Sequence, residues 1–263
     1  MSIEFDLSEQ QKALRAGAKE FANTVLKDVR PTIRKFHKPD ERFYATRPFH
    51  KAAVDAGFVK GLFPKEYGGT DVSALDFALA AEELAAVDVN VPSTLLGTGL
   101  GVKPVIFFGN EEQKRRFLPD FIEDGTKLAA LAFTEVTGGA NFDAPDPRYG
   151  VKTFAIREGD EWVINGEKHY TTNGTGWDGK NCHLYAVICR TDPNKNAQES
   201  LAVIMVPGTT PGLSVTGLLD TVGHRASISP RMTFKNVRVP ASNIIGRPGD
   251  GIKIVSTNFG RRP

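Results

Sequence analysis

Up to about residue 128 the apolar positions recur at helical spacing; from residue 129 they alternate or run together in strand-length blocks. Ser8-Glu9-Gln10-Gln11 has the form of a capping box, and Leu14, Ala18, Phe21 and Val25 then fall on one helical face. Pro48 near a start and Gly57 past an end bracket a second, shorter helix. Residues 57–69 read as a turn-rich connector. Ser73 with Asp76 caps a third helix, whose Leu75, Leu79 and Ala86 allow close packing; its Glu82-Glu83 pair reads as a solvated face. Asn110 with Gln113 caps a further helix with Phe117, Phe121 and Ile122 on its buried side. Residues 95–101 (LLGTGLG) lack the glycine spacing of a nucleotide loop and read as small residues for close helix packing.

In the second half, residues 151–157 alternate, and Trp162-Val163-Ile164 run into Asn165-Gly166, a hairpin signal. Residues 183–190 and 201–206 are further strands around a polar loop, and 213–218 and 231–239 complete six or seven. No long helices intervene, which predicts an antiparallel barrel or sandwich over a doubly wound sheet. The fold class expected is α+β. An N-terminal all-α domain (1–128) precedes a middle β-domain (129–241), and residues 242–263 swing back towards helix as a stub.

Composition narrows the function classes. A net charge of +2 gives no electrostatic case for nucleic acid or an anionic membrane. No window approaches the roughly 18 apolar residues of a membrane helix. The start, MSIEFDLSEQQ, lacks the plan of a secretory or transit leader, and the closing GRRP is not a peroxisomal address. Cys182 and Cys189 lie on one apolar run, which suits core thiols in a reduced compartment. An intracellular protein, cytoplasmic or organellar, is expected. The five histidines form no metal set, and Gly246 to Lys253 does not complete a phosphate loop.

Two stretches carry candidate chemistry. Residues 128–141 (LAALAFTEVTGGAN) are an apolar run ending in a hydroxyl, an acid and a small-residue turn. Gly138-Gly139 can take the positive φ of a concave, anion-holding turn beside Thr134. Residues 166–174 (GEKHYTTNG) place Tyr170 next to Thr171 and Thr172. A ring to stack on, hydroxyl and N–H donors and a glycine nest suit a flat heterocycle bearing a pyrophosphate. Each threonine alone fits an ordinary strand position; the combination favours the ligand.

These residues also resemble a known family. Phe133-Thr134-Glu135 with Gly138-Gly139, then residues 165–168 (NGEK) and Thr172-Asn173-Gly174, are similar to the flavin-binding middle domain of acyl-CoA dehydrogenases. Residues 64–69 (PKEYGG), 113–119 (QKRRFLP), Gly223-His224-Arg225 and 234–240 (FKNVRVP) resemble the same superfamily in the same order. Residues 42–49 (RFYATRPF) and Gly176-Trp177-Asp178 resemble its nitroalkane-oxidase branch.

The resemblance implies FAD bound by Leu131, Phe133, Thr134, Gly139, Ala140, Tyr170, Thr171 and Thr172. Thr134 would meet the pyrimidine edge, Thr172 would lie near N5, and Tyr170 stands where the family usually has tryptophan. Ala140 replaces a usual serine that donates a hydroxyl to the pyrophosphate. Val136 and Asn141 replace a common proline and aspartate. His224-Arg225 is expected to be structural. The family's general-base carboxylate lies in a C-terminal helical domain, and no residue of this chain matches it.

Two kinds of function follow. One is an FAD-dependent oxidoreductase performing α,β-dehydrogenation of an acyl-CoA-type substrate, or oxidising a nitroalkane-like carbon acid, and homo-oligomeric if the C-terminal bundle is supplied. The other is a truncated, non-catalytic remnant that binds flavin weakly or not at all.

Overall fold

The chain is described by a computed structural model covering residues 6–260. Residues 1–5 and 261–263, which hold part of the N-terminal stretch read for a leader and most of the closing GRRP, lie outside the described residues. Eight helices come first. They are α1 (Glu9–Thr24), α2 (Val29–Ile33), α3 (Pro39–Ala45), α4 (Arg47–Asp55), α5 (Ala74–Val87), α6 (Asn90–Phe108), α7 (Glu111–Phe117) and α8 (Pro119–Glu123). The Ser8–Gln11 and Asn110–Gln113 capping boxes form reciprocally, and the Ser73 hydroxyl accepts from the Asp76 N–H. Each satisfies helix N–H groups that would otherwise lack partners.

Three expectations about this half need correction. The packed side of α5 is Ala80, Leu84 and Val87, while Leu75 and Ala86 are exposed; an alanine-rich helix has too weak a stripe to reveal its buried face. The helix expected from Asn110 through Ile122 is two, because the Pro119 ring ends α7 and starts α8. Finally, α6 is long and apolar enough to cross a membrane by length and composition, contrary to the reading of the apolar windows. Most of it is buried within the protein, and its polar Asn90, Thr94 and Thr98 are buried with it.

Strands follow as β1 (Ala129–Ala132), β2 (Phe154–Glu158), β3 (Glu161–Lys168), β4 (Leu184–Arg190), β5 (Leu201–Pro207), β6 (Leu213–Leu218), β7 (Pro230–Pro240) and β8 (Ile244–Ile245). A short helix, α9 (Ala197–Ser200), interrupts the polar loop before β5, and α10 (Gly251–Asn258) closes the described chain. The sheet order is β6-β7-β3-β2-β4-β5-β8, with β1 also on β4. Most pairs are antiparallel, as the short connections require. The exceptions are the parallel β1–β4 pair and a single parallel contact, Phe154 with Arg190, between β2 and β4.

Asn165-Gly166 is not the hairpin. The β2–β3 turn lies at Gly159 (φ 58°), and Gly166 (φ 149°) sits inside β3 at a register shift against β7. A Cβ on Gly166 would stand 2.4 Å from Thr153 Oγ1, so glycine there serves a bulge and a close approach.

β4 is buried along its whole length, which explains its unbroken apolar run. Leu184, Ala186 and Ile188 face a core shared with the helices; Tyr185, Val187 and Cys189 face the interior of the β-domain. Both cysteines are buried and free, and burial pushes each thiol up to about 12. The helical half and the sheet therefore share one continuous core, with α6 lying on β1. There a Cβ on Gly101 would come within 2.6 Å of the Ala130 nitrogen.

Candidate functional site

The chain leaves β1 at Ala132 and turns sharply. Glu135 N–H donates to the Gly138 carbonyl (3.1 Å) and Gly138 N–H returns the bond to Glu135 (3.0 Å). Gly138 takes φ 116°, which a side chain would resist. The turn brings Gly139 beside Thr134: a Cβ on Gly139 would lie 3.0 Å from Thr134 Oγ1. Val136 and Ala140 are exposed at its tip.

The second stretch is attached directly to the first. His169 N–H donates to the Thr134 carbonyl at 2.7 Å. Tyr170 then adopts φ 53°, is 56% exposed, and its carbonyl accepts from Thr172 N–H at 2.9 Å. Thr171 N–H and Asn173 N–H reach back to the Pro230 and Ile228 carbonyls. Tyr185, buried under the sheet, donates its hydroxyl to the Gly174 carbonyl. Tyr170 and Thr172 are thus fixed by backbone bonds on both sides.

Of the eight residues expected at a ligand, Thr134 and Gly139 lie side by side, and Tyr170 and Thr172 stand one and three residues beyond the 134–169 bond. Ala140 follows Gly139 on the exposed turn. Phe133 is half-buried, its ring 5.3 Å from Phe142 and 5.8 Å from Phe259. Leu131 packs from β1 against the shared core. Thr171 differs: it is fully buried with its hydroxyl unpartnered, and His169 Nε2 nearby is also buried without a partner. Buried polar atoms without partners are rare and costly in a finished fold, so this edge has donor and acceptor capacity to spare.

Three contributors were missed. Glu135 and Lys168 form a buried ion pair at 2.7 Å. Burial alone would raise the Glu135 carboxyl, but Lys168 and the Thr153 N–H hold it below its ordinary range; burial pulls the Lys168 ammonium down. Asn173 (φ 71°) inserts its amide into the helical half, donating to the Thr94 and Ala129 carbonyls at 2.8 and 3.2 Å. Gly97 of α6 makes room for it: a Cβ there would stand 2.8 Å from Asn173 Nδ2 and 3.0 Å from Thr172 Cγ2. The glycines of residues 95–101 carried that signal; nothing in the spacing of Glu135 and Lys168 announced their contact.

Other polar residues singled out in the sequence bond within the protein. His224 (φ 52°) pairs with Ser93 Oγ at 2.8 Å, and the Arg225 carbonyl accepts from Arg42 Nε at 2.8 Å. Arg42 itself is buried and pairs with Asp220. Glu82 is solvated as expected, whereas Glu83 is largely covered and pairs with Arg15 at 2.6 Å. His183 bonds Asp120 at 2.7 Å. A cavity of about 480 Å³ lies between α1, α5 and α6, walled by Leu14, Phe77, Ala80, Leu84 and Leu96.

Comparison with known proteins matches two domain families along the chain. The N-terminal domain of acyl-CoA dehydrogenase matches residues 8–124, and the middle domain of the same enzymes matches residues 130–237. A nitroalkane oxidase of Podospora anserina is 35% identical over 98% of this chain and 63% of its own length. Its solved structure superposes with a TM-score of 0.89, again over 98% and 63%. A probable acyl-CoA dehydrogenase of Bacillus subtilis is 32% identical over 95% of this chain and 62% of its own. The butyryl-CoA dehydrogenase structure from Megasphaera elsdenii has a TM-score of 0.77 at 27% identity, covering 98% and 63%. The chain spans about three fifths of the length of these relatives. It belongs to the acyl-CoA dehydrogenase family, of which it carries the N-terminal and middle domains.

Proposed function

We propose that the edge formed by residues 131–140 and 169–174 holds FAD, and that the protein serves an FAD-dependent oxidoreductase acting beside an acidic C–H. The observation that carries this reading is the join between the two stretches. Gly139 leaves Thr134 room that a Cβ would fill, the Thr134 carbonyl takes the His169 N–H, and Thr172 follows on the same loop. The residues fit the group: the unpartnered Thr171 hydroxyl and His169 Nε2 supply polar capacity, and the left-handed Tyr170 presents its ring outward. Bound there, the flavin would supply a two-electron acceptor.

The chain's own residues would bind and orient it. Thr134 and Thr172 would offer donors to the ring edge, where reduction adds negative charge that fixed donors stabilise. Tyr170, Leu131 and Phe133 would offer the ring aromatic and apolar surface. Gly139 and Ala140 would receive the pyrophosphate on backbone N–H groups, without the extra hydroxyl a serine would add at residue 140. Glu135 is unsuited to be the base, because both its oxygens are engaged, by Lys168 and by the Lys152 and Thr153 N–H groups.

The first substrate reading is α,β-dehydrogenation of an acyl-CoA-type thioester, in a homo-oligomer. A second reading, oxidation of a nitroalkane-like carbon acid, is favoured by the higher structural likeness to nitroalkane oxidase than to butyryl-CoA dehydrogenase. The test is a visible absorption spectrum of the purified protein, with added FAD and the excess removed. Retained flavin bands support the site. A folded protein that keeps none overturns it and leaves a remnant that has lost its cofactor.

A further inference from the structure

The Glu135–Lys168 pair is hard to explain as a stabilising device. Lys168 is fully buried and Glu135 nearly so, and a buried ion pair is often replaceable by apolar side chains at no loss of stability. Its connections run to one place. Lys168 Nζ donates to Glu135 Oε1 at 2.7 Å and to the Phe133 carbonyl at 3.0 Å. Glu135 in turn accepts from the Lys152 and Thr153 N–H groups at 2.6 and 2.9 Å, so its charge is held by donors besides Lys168.

The Phe133 carbonyl is one end of the peptide unit whose other end is the Thr134 N–H. Among the described residues that N–H meets no backbone acceptor. An ammonium bonded to the carbonyl end polarises the unit and strengthens its N–H as a donor, an effect that is larger in a low-dielectric interior. The next carbonyl, that of Thr134, is fixed by His169, the residue after Lys168. Lys168 and His169 thus hold the carbonyls on either side of the Thr134 N–H.

We propose that Lys168, held by Glu135, is a positioning residue that polarises the Phe133–Thr134 peptide towards the bound flavin and so raises its reduction potential. The inference rests on the flavin reading above. Reduction places negative charge on the ring edge, so a stronger Thr134 donor favours the reduced form over the oxidised one.

The experiment is a spectroelectrochemical titration of the full chain loaded with FAD, as wild type, as Lys168→Met and as the neutral pair Glu135→Gln with Lys168→Met. Without the ammonium, the reduced flavin should bind about tenfold less tightly relative to the oxidised form, a fall of about 30 mV for a two-electron couple. The fall should appear in both variants, because both lose the donor to the Phe133 carbonyl. The neutral pair carries the measurement where Lys168→Met does not fold. A folded variant that binds FAD at the wild-type potential, whatever its change in melting temperature, overturns the proposal and leaves the flavin site standing. A wild-type chain that retains no FAD overturns both.

Discussion

The two halves of the site are held by different physics. The turn at 134–139 is organised by charge: a buried carboxylate and ammonium bind three backbone groups around it. The loop at 170–174 is held by close approach, with Asn173 and Thr172 seated over Gly97 and the left-handed Tyr170 and Asn173 kept in place by neighbours. Three residues after Gly174, the Trp177 ring stacks on Phe43 (4.4 Å) and lies 5.2 Å from His50, a second packed contact of this half with the helices. Charge tolerates small displacements but not the loss of a partner; packing tolerates neither extra volume nor a buried proton.

Removing one charge should have the largest effect. Lys168→Met leaves Glu135 buried without its cation and should cost about 3–5 kcal/mol in denaturant unfolding. The neutral Gln/Met pair should recover most of that loss; an equal loss would mean that the turn is held by shape as well.

Acid should separate the halves. Burial holds His50 down to about 4, so its folded-state value lies below its unfolded one. Its contribution is present above the unfolded value near 6.5 and is lost as pH falls to about 4, roughly 3 kcal/mol in all. Glu135 is also depressed, so its contribution is lost only below the ordinary carboxylate range. Between pH 6.5 and 4.5 the packed half should therefore weaken first. His50→Phe should flatten stability over that window, and an unchanged slope would assign it to another group.

Gly97→Ala probes packing alone. Its methyl would stand 2.8 Å from Asn173 Nδ2, and overpacking of this kind costs about 1–3 kcal/mol. Any FAD bound should change its spectrum in this variant, since Thr172 must move. The smallest effect is expected at Ala140→Ser. One added hydroxyl should tighten FAD by about 1 kcal/mol in an equilibrium titration, with stability unchanged.

How much of this was legible follows from the range of each interaction. Caps at Ser8, Ser73 and Asn110 act over three residues, and their sequences named them. Strand β4 was legible because burial on both faces leaves an unbroken apolar run. Gly166 misled because glycine after asparagine suits both a hairpin turn and a bulge; Thr153, a neighbour across the sheet, decides between them. The division into helical and β halves was readable from the change in period. At the candidate site, Thr134, Gly139 and Thr172 were named from residue type and order, and the structure brings their two stretches together. Lys168 and Asn173 act on partners 33 and 79 residues away, and a single sequence holds no record of such distances.

The parallel pairing of β1 with β4 has a consequence for how the chain is made. Ala129 pairs with Leu184, so β1 leaves the ribosome several seconds before its partner at about 5–20 residues per second. During that interval the one strand already joined to the finished helices has an open edge. α6 covers one of its faces from the start, docked through Gly101. Local helix packing thus shields the strand whose own pairing is among the most delayed, and a slower ribosome would lengthen the exposure that α6 limits.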